Sequence, residues 1–141
     1  TIQGTDLDDY IEGGKGADTI YGNDGPDWIK GGLGNDTIYG GTNGLDAWGS
    51  PGEDVASYSG NMSLFTITYY DSAGNTSTTY QADGYVKVKD SRTYETLSEG
   101  TDTLYGIEGL QFWDDYLGFQ KMETLKSSCE AAALRVRRFP G

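Results

Sequence analysis

Residues 4–39 repeat every nine positions. From Gly4 the chain divides into GTDLDDYIE, GGKGADTIY, GNDGPDWIK and GGLGNDTIY, with aspartate sixth and isoleucine eighth in every block. The aspartates are Asp9, Asp18, Asp27 and Asp36; the isoleucines are Ile11, Ile20, Ile29 and Ile38. Two looser blocks follow. GTNGLDAW carries Asp46 and Trp48 one residue late, and GSPGEDVAS returns to phase with Asp54 and Ala56. The glycines keep the same period, and 14 of the chain's 22 lie in residues 1–58. A glycine at a fixed place in each unit marks a turn that needs φ > 0 or a close backbone approach.

Composition narrows the classes of function. Glycine every third residue, as collagen requires, is absent. The 11 Tyr, 3 Trp and 4 Phe are too many for a disordered acidic linker. Acidic residues outnumber basic ones 22 to 10, a net charge of −12, which has the wrong sign for a nucleic-acid binder. With no histidine, a Ser-His-Asp or Cys-His catalytic arrangement cannot be assembled, and a single cysteine excludes an internal disulfide and a Cys/His zinc site. No apolar run approaches the roughly 20 residues of a membrane span. Hydrophobic residues reach only 35 %, so a conventional core is small.

The blocks resemble the repeats-in-toxin (RTX, haemolysin-type) calcium-binding nonapeptide, G-G-x-G-x-D-x-U-x with U apolar. GGKGADTIY and GGLGNDTIY match it fully; elsewhere Thr5 and Asn23 replace the second glycine and Leu7 the fourth-position glycine, which weakens any site that needs the first turn. The resemblance implies an all-β fold: a parallel β-roll (β-helix) of nonapeptide repeats with Ca²⁺ in the turns, capped by antiparallel β-hairpins. Two nonapeptides make one coil, so turns of equal parity stack about 4.8 Å apart. Asp9, Asp27 and Asp46 would line one edge, and Asp18, Asp36 and Asp54 the other. Calcium takes six to eight oxygens at about 2.3–2.6 Å. The aspartates would supply some of these, and backbone carbonyls near Gly13, Gly16, Gly22, Gly25, Gly31, Gly34, Gly41 and Gly44 the rest, for about two to four ions. The isoleucines would stack inward. Because so slender a core offsets little ordering entropy, ion binding is expected to supply much of the folding energy.

Positions seven and nine of each repeat point outward. Tyr10 then aligns with Trp28 and Tyr21 with Tyr39, while Glu12 faces Lys30 as an opposite-charge pair. Either aromatic pair packs against other parts of the protein or serves as a platform for a sugar ring. Beyond Tyr58 the period gives way to alternation at Leu64–Tyr70, Thr78–Gln81 and Tyr85–Lys89, with turns at Asp71–Asn75 and Asp83-Gly84. Gly100–Gly106 (GTDTLYG) echoes the repeat, and its Asp102 is a candidate oxygen donor to a further ion. Three segments are therefore expected: a calcium-binding roll at 1–57, a non-repetitive β cap at 58–117, and a flexible or expression-derived tail at 118–141. Residues 121–141 carry a net charge of +3 and hold Cys129, for which no site role is expected.

By resemblance, the chain is a non-catalytic module of a secreted, extracellular bacterial protein. It would leave the cell unfolded by type I secretion, fold on external Ca²⁺, and assist the folding and stability of an attached catalytic or adhesive domain. No nucleic-acid partner or membrane insertion is expected, and the module is expected to be a monomer. The alternative is a carbohydrate-binding accessory module for an alginate-type anionic polysaccharide, as in the R-modules of mannuronan C5-epimerases. Its candidate ligand surface comprises Tyr10, Trp28, Tyr21, Tyr39, Lys30, Lys87, Lys89 and Arg92.

Overall fold

The computed structural model describes residues 1–43, 52–94 and 96–119. Its strands, in chain order, are β1 (Ile2–Gln3), β2 (Tyr10–Lys15), β3 (Thr19–Asp24), β4 (Trp28–Leu33), β5 (Thr37–Thr42), β6 (Val55–Ser57), β7 (Phe65–Tyr70), β8 (Thr76–Ser77), β9 (Tyr85–Asp90), β10 (Thr101–Tyr105), β11 (Gly109–Gln111) and β12 (Tyr116–Gly118). They form two mixed, open sheets, ordered β1-β3-β5-β10-β9-β7-β8 and β12-β11-β6-β4-β2. The protein is all-β apart from one 3₁₀ turn at Met62–Leu64 among the described residues.

Consecutive repeat strands fall in alternate sheets, so strands 18 residues apart pair in parallel. Ile11 lies opposite Ile29, and Ile20 opposite Ile38. Each column continues with a residue from outside the strict repeats: Ile29 meets Ala56 and then Leu110, while Ile38 meets Leu104. All of these are buried. Every rung thus contributes one apolar side chain to the space between the sheets, and a fully buried Ile or Leu is worth about 1.5–3 kcal/mol.

After β6 the chain leaves the ladder. Antiparallel β7, β8 and β9 extend the first sheet, with Ile67 opposite Val88 and Tyr69 opposite Val86. The strand expected at Thr78–Gln81 is not formed; β8 lies earlier, at Thr76–Ser77, where it pairs with Tyr69 and Tyr70. β10 then returns to lie parallel to β5, and β11 parallel to β6. Between these excursions Tyr58, Phe65 and Phe112 pack in a cluster with ring centroids 5.2–5.6 Å apart.

Register corrects two details of the sequence reading. Gly41 lies opposite Asn23, so the fifth repeat begins at Gly40 and not one residue late. Nine further residues then separate this turn from its aspartate, because β6 pairs with β4 rather than with β5. Asp46 and Gly44 fall in 44–51, outside the described residues.

Candidate metal centre

The turns acquire their shape from glycine. Positions two and four of the repeats lie in the left-handed region: Gly14, Gly32 and Gly41 at φ 100 to 109°, and Gly16, Gly25 and Gly34 at φ 102 to 127°. Asn23, at φ 81°, is the one non-glycine residue there among the described residues, consistent with the tolerance of asparagine for this region. Thr5 and Leu7 do not share this geometry, so the first turn departs from the others.

Each turn stacks on its neighbour through carbonyl oxygens. A Cβ on Gly34 would strike the Gly16 carbonyl oxygen, and one on Gly32 or Gly41 would strike that of Gly14 or Asn23. Position-one glycines leave room for carboxylates instead. A Cβ at Gly13 would lie 3.0 Å from Asp18 Oδ2, and one at Gly40 2.5 Å from Asp54 Oδ2. The same glycines abut the carbonyls of the next coil, with Gly13 against Gly31 O, Gly4 against Gly22 O and Gly22 against Gly40 O. Of the expected carbonyls, those of Gly16, Gly22, Gly31 and Gly34 therefore sit against the glycines of a neighbouring turn. The Gly25 turn instead packs on Leu7.

The aspartates form two ladders. The Asp9 amide donates to Asp27 Oδ1 at 2.9 Å, and the Asp27 amide donates to Asp54 Oδ1 at 2.8 Å. On the opposite edge the Asp18 amide donates to Asp36 Oδ1, and the Asp36 amide to Asp102 Oδ1, both at 2.8 Å. Asp54 thus joins the Asp9/Asp27 edge, not the Asp18/Asp36 edge expected from period alone. The nine extra residues after Gly40 shift it by one sheet. Asp102 takes the place that Asp54 leaves, and Glu108 ends the first ladder by accepting from the Asp54 amide and from Asn43 Nδ2, both at 2.7 Å.

One oxygen of each carboxylate is thereby used. Oδ2 of Asp18, Asp27, Asp36, Asp54 and Asp102 is buried without a hydrogen-bond partner. Asp9 differs: Thr5 supplies its amide at 2.6 Å and its hydroxyl at 2.9 Å to Asp9 Oδ2, so the irregular first turn satisfies its own carboxylate. Burial pushes the Asp27 carboxyl up to about 6, and that of Asp54 up to about 8; neighbouring acids add to the rise. Asp36 rises for the same reason. A stack of buried carboxylate oxygens without donors is unfavourable unless protons or cations occupy it. Oxygen-only donors in glycine-lined turns suit a hard divalent cation. Among the described residues no three carboxylates gather into one cluster, so such a site draws on two aspartates and on backbone carbonyls.

The outward aromatics behave differently on the two sheets. Tyr21 and Tyr39 stack at 4.8 Å and 6°, and the column runs on through Tyr105 at 4.9 Å, then tilted Tyr85 and stacked Tyr70. The Tyr39 ring thus has a neighbour on both faces, while Tyr21 stands at the end of the column. Tyr10 and Trp28 lie opposite each other and exposed on the second sheet. Glu12 faces Lys30 in register but accepts a 2.8 Å hydrogen bond from the Tyr10 hydroxyl; the ion pairs found among the described residues belong to Arg92.

The four candidate cations divide between two faces. Lys87, whose Nζ lies 5.7 Å from the centre of the Tyr70 ring, shares β9 with Lys89 and the tyrosine column. Lys30 and Arg92 border a pocket with Lys15 and the exposed Trp113. Arg92 is held there by Asp90, Glu99 and the Ser59 carbonyl. The nine-residue period does not mark Lys15 and Trp113, which line this pocket together with Thr96 and Leu97 of the connection after β9. Nor does it mark Glu108, whose sole signal is a Gly-x-Glu following the 100–106 echo.

Residues 3–38 and 21–43 match the RTX calcium-binding nonapeptide repeat, in four copies. No curated protein and no solved structure matches the chain. The match spans residues 3–43, and repeats of this type are typical of secreted bacterial proteins.

Proposed function

We propose that the repeats form a parallel β-roll holding about two to four Ca²⁺ ions, and that the chain folds when these ions bind outside the cell. The observation that carries this reading is the column of buried, unpartnered aspartate Oδ2 atoms, which recurs turn after turn in one register. Asp18 with Asp36, and Asp27 with Asp54, would hold ions between stacked turns; Asp9 with Asp27 is the weaker pair, because Thr5 already occupies Asp9. Bound calcium supplies charge neutralisation to carboxylates that otherwise repel and resist burial. The protein's part is to present them: glycines fold the turns, isoleucines set the rung spacing, and cross-coil amides orient each carboxyl.

The module has no catalytic role in this reading. It aids secretion, folding and stability of an attached domain as a secreted, monomeric unit; its cap begins at 58 and runs past the expected boundary at 117, since Gly118 lies in β12 and Phe119 is buried against Tyr69 and Tyr80. Native mass spectrometry in calcium tests the metal assignment. Discrete species with two to four bound ions, lost in D18N/D27N/D36N, are expected; a wild-type protein that retains no calcium would overturn it.

A second reading rests on the pocket where Lys15, Lys30 and Trp113 meet, alongside Glu12 and Glu99. There the module would bind an alginate-type anionic polysaccharide for an attached enzyme. Chemical-shift titration with alginate oligomers in calcium is expected to move Trp113 and Lys30; unchanged spectra would remove this reading.

A further inference from the structure

We propose that Asp102, although it lies outside the matched repeats, completes a calcium site with Asp36 and so fastens the second half of the chain onto the roll. The inference rests on the calcium reading above and adds to it a site built across 66 residues of sequence.

Three features make the turn before β10 a copy of the repeat turn. The backbone contacts are the same: the Thr103 amide donates to Asp36 O at 2.9 Å, as the Thr37 amide does to Asp18 O at 2.9 Å. Thr103, Leu104 and Tyr105 stand opposite Thr37, Ile38 and Tyr39, which gives Asp102 the position of a sixth-place aspartate. Gly100 has φ +73° and lies two residues before Asp102, as Gly34 does before Asp36 and Gly16 before Asp18. A Cβ on Gly100 would strike the Gly34 carbonyl oxygen, just as one on Gly34 would strike that of Gly16. The three turns are therefore one stack.

The carboxylate itself supplies the independent observation. Asp102 is 1 % exposed, its Oδ1 accepts from the Asp36 amide, and its Oδ2 makes no hydrogen bond, with the buried and likewise unpaired Tyr58 hydroxyl beside the carboxyl. Asp36 Oδ2 is buried and unpartnered in the turn below. This is the arrangement of the Asp18/Asp36 pair, repeated one coil higher. The turn escapes the repeat pattern because Leu97 and Ser98 stand where the glycine pair would be. A site here would also join two parts of the chain that the hairpin of β7 and β9 separates, so calcium would order the second half together with the first.

The test compares the wild type with Asp102→Asn, which keeps the oxygen that accepts from Asp36, and with Asp18→Asn. Calcium stoichiometry is read by native mass spectrometry, with folding checked by near-ultraviolet circular dichroism. D102N is expected to bind one ion fewer than wild type at saturation. An unchanged count in a folded D102N overturns the proposal. Should the variant not fold, crystals of the wild type grown in calcium decide by anomalous scattering. A peak between residues 36 and 102 supports the site, and peaks in the repeat turns without one here overturn it. Absence of calcium from every turn would instead contradict the underlying calcium reading.

Discussion

The Asp27 amide reaches Asp54 Oδ1 at 2.8 Å across 27 residues of sequence, whereas Asp9 and Asp27, or Asp18 and Asp36, pair across 18. One whole repeat length has been added to the coil without breaking the aspartate ladder. Asp27 thereby stands between two carboxylates, with Asp9 on one side and Asp54 on the other. Asp27→Asn is expected to weaken calcium binding by roughly tenfold or more, because ligand charge sets affinity at such sites. Asp24→Asn, outside the ladder, should change it little. Calorimetric titration of the two variants side by side checks the contrast.

Two glycines with similar φ should respond differently to alanine. At Gly14, φ +100°, a Cβ meets nothing within 4 Å, so Gly14→Ala carries only the strain of the left-handed region, about 1–3 kcal/mol. At Gly34, φ +127°, the same Cβ would also strike the Gly16 carbonyl, so the stacked turns would have to separate. Gly34→Ala should therefore lower the urea midpoint in calcium more than Gly14→Ala, and should also lower calcium affinity. Equal effects on both measurements would argue against carbonyl stacking as the basis of the turn.

Calcium binding should release protons. Burial raises Asp27 to about 6 and Asp54 to about 8, both above the 3.8 of an unperturbed aspartate. Without calcium the folded form thus holds more protons than the unfolded chain. Its stability contribution from these groups is complete below about 3.8 and is lost as pH rises through 6 and 8. Calcium requires the ionised carboxylates, so its apparent affinity should increase over the same interval. Titrations in two buffers of different ionisation enthalpy measure the protons released near pH 7; no difference between buffers would contradict the account.

Tyr39 lies inside the tyrosine column, stacked on Tyr21 at 4.8 Å and on Tyr105 at 4.9 Å. Each such pair is worth about 0.5–1.5 kcal/mol beyond area burial, so Tyr39→Ala should destabilise by roughly 1–3 kcal/mol. Tyr94→Ala, on an exposed side chain, should be near neutral. Urea unfolding in calcium measures both.

The period made the repeat strands and the inward isoleucines legible, since each rung repeats its neighbour's environment. The edge taken by Asp54 was not legible. An insertion of nine residues keeps the sequence phase while moving the strand to the other sheet, and only the pairing of Val55 with Trp28 reveals it. Asp102 could be noticed through Gly100 but not placed, because its partner Asp36 is remote and the intervening hairpin obeys a different periodicity. Tyr85 and Tyr70 join the column of Tyr21 and Tyr39 through antiparallel pairing, which a spacing of 18 does not encode. The cations divided for a similar reason: Arg92 is fixed by Asp90 and Glu99 in the connection beyond β9, where no repeat governs position.

The most direct test of the central claim, that the buried aspartate ladders bind calcium and thereby fold the chain, is one calcium titration followed together by calorimetry and far-ultraviolet circular dichroism. The account predicts saturation at two to four ions per chain, with β signal that appears as the ions bind and is lost in chelator. A β spectrum unchanged between chelator and saturating calcium would contradict it.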